Sequence, residues 1–159
     1  MIFVTVGTDG PFDRLIRIVD DWARKNNRTD VFAQIGEGGT APSFISYSRF
    51  LEPAEFRTRF NNSEMIISHA GMGTILSALT SSKPILVLPR RFDLGEQRND
   101  HQMATARRLV SMNKIHAAFT EAELIKYLDG LESLRPLEKI GPGASPELVR
   151  TIAHFIQSA

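Results

Sequence analysis

The stretch Met65-Ile66-Ile67-Ser68-His69-Ala70-Gly71-Met72-Gly73-Thr74 decides how the rest of the chain is read. Its apolar opening over Met65–Ser68 suits a strand buried on both faces of a parallel sheet. Two glycines follow, and a helical pattern begins at Thr74 and runs to Thr80. Gly71 and Gly73 carry no Cβ, so their backbone N–H groups can approach an anion closely. A helix opening at Thr74 would aim unpaired donors and partial positive charge at the same point. The turn therefore reads as a diphosphate seat. It reads equally well as a tight turn that needs glycine for backbone reasons alone, because short glycine motifs also arise by chance.

The same alternation extends outward in both directions. Strands are expected at Ile2–Val6, Val31–Ile35, Ile45–Phe50, Met65–Ser68, Ile85–Leu88 and Ile115–Ala117. Between the first two, Phe12, Leu15, Ile16, Val19 and Trp22 recur at spacings of three and four, one face of an amphipathic helix. Further helices are expected at Pro53–Phe60, with proline at the start, and at Thr74–Thr80, Asn99–Ser111, Glu121–Leu134 and Pro146–Ile156. Strand–helix alternation predicts an α/β fold with an open, mostly parallel, Rossmann-like sheet and right-handed crossovers. Residues 1–134 are expected to form this α/β domain. Residues 135–159 comprise a Pro/Gly-rich linker over 135–145 and a last helix that packs back or faces a partner.

Bulk properties narrow the function classes. The chain has 159 residues, suited to one domain with a sizeable core. With 19 basic against 18 acidic residues, it lacks the basic excess usual in nucleic-acid binders. There is no cysteine, which excludes disulfides, thiolate metal sites and a cysteine nucleophile. No apolar run approaches the ~20 residues needed to span a bilayer. A cytoplasmic protein is expected, with any membrane association made through a partner.

Open α/β sheets bind ligands outside the carboxyl ends of their strands. The first strand is followed by Gly7-Thr8-Asp9-Gly10, read as a phosphate or acceptor-side candidate or as a plain turn, and the second by Gly36-Glu37-Gly38-Gly39, read as a mobile loop. The fifth leads into a polar segment, Arg90–Gln102. Within it, Asn99, Asp100, His101 and Gln102 offer donors and acceptors suited to sugar hydroxyls. Asn99 or Asp100 is expected to cap the following helix while the other binds. Arg90, Arg91 and Arg98 read as a solvated charged loop or as an anion-facing group. His69 reads as a general base or as a residue that shapes the turn. No set of His, Asp and Glu has metal-ligand spacing.

Taken in order, Val4–Thr8, Pro11–Leu15, Ser68–Thr74, Lys83–Pro89 and Asn99–Gln102 resemble the glycosyltransferase family 28 C-terminal domain. The resemblance extends to its stand-alone versions, the PssE-type subunit of bacterial exopolysaccharide transferases and the cytosolic subunit of the dolichol-pathway N-acetylglucosaminyltransferase. It covers residues 1–112 well. It implies the donor half of a GT-B fold, similar to the MurG donor domain. It further implies an inverting glycosyltransferase subunit that uses a UDP-sugar without a metal or other cofactor. The partner would be a PssD-like, membrane-anchored, acceptor-binding subunit that recruits the chain to the inner face of the membrane. The acceptor would be a polyprenyl-diphosphate-linked saccharide, and glucuronic acid or galactose the sugar transferred in polysaccharide synthesis. Carried over by position, Gly71, Met72, Gly73 and Thr74 contact the donor diphosphate, and Asn99, Asp100, His101 and Gln102 the donor sugar. Gly7 and Thr8 line the cleft facing the partner. MurG-like enzymes have a ribose-binding glutamate on the helix after the glycine turn, where this chain has Ser77. A non-catalytic nucleotide-binding or regulatory module is the alternative reading. A Rossmann oxidoreductase fits poorly, since neither glycine turn completes Gly-x-Gly-x-x-Gly.

Overall fold

The structure, a computed structural model, describes residues 1–137 together with 146, 150, 151 and 154. Most of the expected linker and last helix lies outside the described residues. The strands are β1 (Ile2–Thr5), β2 (Val31–Gln34), β3 (Ser46–Ser48), β4 (Met65–Ser68), β5 (Ile85–Val87) and β6 (His116–Ala117). They form one six-stranded sheet in the order β3-β2-β1-β4-β5-β6, and every pairing is parallel. The helices are α1 (Asp13–Lys25), α2 (Pro53–Asn62), α3 (Met72–Thr80), α4 (His101–Ser111) and α5 (Glu121–Asp129).

Side-chain alternation along the strands divides the core into two layers. Ile2, Val4, Ile67 and Leu86 pack with α1 and α5, where Leu15, Val19, Leu124 and Leu128 are buried. Phe3, Ile66, Ile85 and Val87 point the other way, onto Phe60 of α2, Ile75 and Leu79 of α3, and Leu109 of α4. A sheet covered on both faces needs apolar residues at consecutive positions, which explains the hydrophobic runs Ile2–Val4 of β1 and Met65–Ile67 of β4.

Several expected boundaries move, each for a local reason. α3 begins at Met72 rather than Thr74, with Gly71 as its N-cap. The helix expected over Asn99–Ser111 starts at His101 because the Asn99 Oδ1 accepts the His101 N–H at 3.1 Å. Of the strand expected over Ile45–Phe50, only Ser46–Ser48 pairs with β2. The helix expected over Glu121–Leu134 stops at Asp129, where Gly130 weakens helix continuation and a 3₁₀ turn, Leu131–Ser133, follows. Its start is firmly set. The Thr120 hydroxyl accepts from the Glu123 N–H and the Glu123 carboxylate accepts from the Phe119 N–H, a close variant of the capping box.

Behind β3, α1 is tied down by a buried carboxylate. Asp20 accepts hydrogen bonds from the backbone N–H groups of Ser43, Phe44 and Ile45, at 2.9–3.0 Å. Burial opposes its ionisation, but these donors outweigh burial and hold its pKa below the ordinary value.

Candidate active site

From β1 the chain moves leftward to β2 and β3, then returns to place β4 on the other side of β1. The connections leaving β1 and β4 therefore diverge, and a crevice opens between them at the carboxyl edge. A cavity of about 620 Å³ occupies this point. Gly7, Thr8 and Asp9 line it from β1, Gln34 from β2, and His69 with Gly71–Thr74 from β4 and α3. Phe50, Leu51, Pro53, Phe56 and Arg57 complete the wall from the segment after β3.

The N-terminus of α3 is open to this cavity. Gly71 makes no side-chain cap, and the helical bonding of the turn begins with the Ile75 N–H donating to the Gly71 carbonyl at 3.1 Å. The N–H groups of Met72, Gly73 and Thr74 come earlier in the helix, where no intrahelical acceptor exists. A Cβ at Gly73 would meet no heavy atom within 4 Å. The space above the first turn is thus free at the point where a helix concentrates partial positive charge.

Gly71 and Gly7 have a different reason to be glycine. The imidazole of His69 stands between them, and a Cβ at either would overlap the ring, 2.7 Å from Nε2 at Gly7 and closer at Gly71. Gly7 also holds φ at +75°, which favours glycine independently. Gly71 has an ordinary φ of −80°, so the ring alone excludes a side chain there. His69 is 6% exposed, and its Nδ1 has no hydrogen-bond partner among the described residues. Burial and then the nearby Arg90 guanidinium push its pKa down to about 4, against the opposing pull of the Thr5 backbone and Asp9. The ring is neutral at physiological pH, and it joins the β1 and β4 turns.

The residues from Arg90 to Gln102 behave otherwise. Arg90 is buried, and its guanidinium donates to the carbonyls of Val6 (3.0 Å), Gly10 (2.8 Å) and Pro11 (2.7 Å) while lying over the Phe12 ring. It clamps the β1 turn instead of facing an anion or solvent. Arg91 pairs with Asp93. Arg14 grips Glu96 through two bonds of 2.6 and 2.7 Å and donates to the Pro89 carbonyl. Gln102 is buried, its Oε1 accepting from the N–H groups of Ala70 and Arg90, each at 3.1 Å. It braces the glycine turn from behind. Asn99 sets the start of α4, while Asp100 borders a separate surface depression with Arg107 and Phe119. None of Asn99–Gln102 is among the residues lining the switch-point cavity. The Gly36–Gly39 loop is also structural, held by Thr40 on the Asp13 carboxylate and by Arg49 on the Gly39 carbonyl. Ser77 does line the cavity, with its hydroxyl donating to the Gly73 carbonyl at 2.8 Å.

Sequence reasoning missed the wall formed by Phe50, Leu51 and α2. Its one visible signal is Pro53, Phe56 and Arg57 at i, i+3 and i+4, a single helix face.

An all-parallel sheet with a ligand-sized cavity at its switch point and an uncapped helix beneath it defines a Rossmann-like ligand-binding domain. Residues 1–139 match the glycosyltransferase family 28 C-terminal domain, and the chain belongs to that family; it is a glycosyltransferase domain. Solved structures share the fold. The NMR solution structure of ALG13 is 22% identical, with a TM-score of 0.58 over 85% of this chain and 87% of ALG13. MurG from Acinetobacter baumannii is 18% identical, with a TM-score of 0.60, and the match covers 82% of this chain and 41% of MurG. The glycotransferase of kitacinnamycin is 17% identical, with a TM-score of 0.58 over 83% of this chain and 34% of that protein. The chain thus spans most of ALG13 and less than half of the other two. A search of curated proteins found no match. No helix among the described residues is long and apolar enough to cross a membrane.

Proposed function

We propose that the chain is the donor-binding, catalytic subunit of a two-component inverting glycosyltransferase. It binds a UDP-sugar in the switch-point cavity. The sugar passes to a lipid-diphosphate-linked acceptor presented by a PssD-like, membrane-anchored subunit, which also brings the chain to the inner face of the membrane. The observation that carries this reading is the open first turn of α3, facing a cavity of nucleotide size in a family 28 domain. Phe50, Leu51, Pro53 and Phe56 give the base an apolar wall, and Gly71–Thr74 receive the diphosphate.

The chemistry follows from charge. The acceptor hydroxyl oxygen bonds to the anomeric carbon from the face opposite the diphosphate, inverting its configuration. The bond between that carbon and the diphosphate oxygen breaks, and its electron pair leaves with the nucleotide. The hydroxyl proton goes to a general base. Negative charge grows where the α3 N–H groups point, and fixed donors in a partly enclosed site stabilise it without reorganisation. In this reading the helix terminus neutralises the leaving group without a metal ion. His69, with a pKa of about 4, is a weak base at neutral pH. We assign it to holding the two turns in place and assign the base to the partner.

Of the three arginines of the β5 loop that would suit an acidic sugar such as glucuronic acid, Arg90 and Arg91 are engaged within the protein, which leaves Arg98. A donor-sugar role for Asn99–Gln102 rests on the family resemblance alone, since none of the four lines the cavity and Gln102 reaches the seat only through Ala70. The test is sugar transfer from a panel of UDP-sugars to a lipid-diphosphate acceptor, by the chain alone and with the membrane subunit. Transfer only by the pair is expected; robust transfer by the chain alone contradicts the two-component reading.

A further inference from the structure

We propose that Arg57 is a ligand-binding residue whose guanidinium supplies a second positive pole for the cavity, facing the diphosphate seated on α3. This rests on the reading of the cavity as a nucleoside-diphosphate site. α2 turns Pro53, Phe56 and Arg57 toward the cavity. Phe56 is anchored edge-on against Phe3, with ring centroids 5.3 Å apart, which fixes the helix face that carries Arg57.

Its neighbour on the same helix gives the contrast. Arg59 is bound to Glu55 at 2.9 Å and lies over the Phe32 ring. Arg57 is exposed and makes no hydrogen bond or ion pair with any described residue. Among the described residues it is the only arginine or lysine lining the cavity, and Asp9, on the β1 side, is the only carboxylate. The hydroxyl of Ser77 is already directed to the Gly73 carbonyl, so that wall offers the ligand little. An unpaired guanidinium beside an apolar wall, sharing a cavity with free helix-terminal N–H groups, is suited to a dianionic ligand. Guanidinium also binds phosphate oxygens through two parallel bonds.

The experiment is calorimetry on the full chain with UDP, uridine and inorganic pyrophosphate, using wild type, Arg57→Gln, Arg57→Lys and, as a control, Arg59→Gln. Removing one charged hydrogen-bond partner predicts about tenfold weaker binding of UDP and pyrophosphate to Arg57→Gln. Uridine binding should change less than about twofold, because neutral uridine gives the guanidinium no charge to meet. Arg57→Lys should fall between, and Arg59→Gln should match wild type. Arg57 is exposed, so thermal unfolding of Arg57→Gln should stay at the wild-type temperature. Unchanged UDP affinity in Arg57→Gln overturns the proposal and leaves the site reading standing. Equal losses for UDP and uridine overturn it as well, since charge would not be the cause. Failure of wild type to bind either UDP or pyrophosphate instead overturns the site reading itself.

Discussion

Two loops leave neighbouring strands of one sheet edge and use their polar groups in opposite ways. After β4, the first turn of α3 leaves its N–H groups without acceptors among the described residues, and space is free above Gly73. After β5, Arg90, Glu96 and Gln102 are all committed to protein groups. The more polar loop is the more self-contained one. Ligand-binding capacity resides in donors the protein leaves unmet, since a buried polar group already satisfied has little to offer a ligand. The β5 loop serves as scaffold: Arg90 and Arg14 fasten it to the β1 turn and α1, and Gln102 fastens it to Ala70.

This contrast is open to direct attack. The largest effect is expected from Arg90→Met, which leaves three carbonyls of the β1 turn without their donor. A loss of about 4 kcal/mol is expected in denaturant unfolding. A loss below about 1 kcal/mol, with weakened UDP binding, would move Arg90 from scaffold to ligand contact.

Gly71→Ala is next. The added Cβ meets the buried His69 ring, so about 3 kcal/mol of stability should be lost along with nucleotide binding. Because the backbone at Gly71 suits alanine, the same change in a His69→Ala background should cost less than about 1 kcal/mol. Gly7→Ala should remain costly in that background because of its positive φ. Equal costs for Gly71→Ala in both backgrounds would show that the ring is not what requires glycine.

The titration of His69 gives a smaller effect. Its folded pKa of about 4 lies below its unfolded value of 6.5, so the unfolded chain binds more protons between those values. Stability should therefore fall as pH drops below 6.5, by about 2 kcal/mol at pH 5. That range lies above most carboxylate titrations, so His69→Gln should flatten the dependence. A slope that persists in the variant would assign it elsewhere.

Gly73→Ala is expected to be the mildest for the fold. Alanine favours a helix over glycine by up to about 1 kcal/mol, and nothing crowds the site. The variant should be as stable as wild type or slightly more so, yet bind UDP more weakly because the methyl projects where the diphosphate sits.

How far the sequence could carry this depended on whether a feature was local. The near-continuous apolar runs at Ile2–Val6 and Met65–Ser68 and the threefold–fourfold spacing in α1 were legible because burial on two faces and on one face leaves distinct periods. The glycine turn was legible as a possible anion seat because strand, turn and helix are contiguous. Whether Gly71 serves the ligand or a neighbouring ring was not legible, since the spacing is the same in both cases. The roles of Arg90 and Gln102 depend on carbonyls and amides up to 84 residues away in sequence, which no local pattern reports. Arg57 was hidden in a short helix recognised chiefly by its proline. It stands out only when its lack of a partner is set beside the paired Arg59.

The central claim is that the turn before α3 seats the donor diphosphate, and its most direct test is an NMR titration of the labelled full chain with UDP. The account predicts the largest backbone amide shifts at Met72, Gly73 and Thr74, with smaller changes at Thr8 and near Arg57, and the shifts at the turn should be reproduced by pyrophosphate. Shifts confined to the Arg90–Gln102 loop, with the amides of Met72–Thr74 unmoved at saturation, would contradict it.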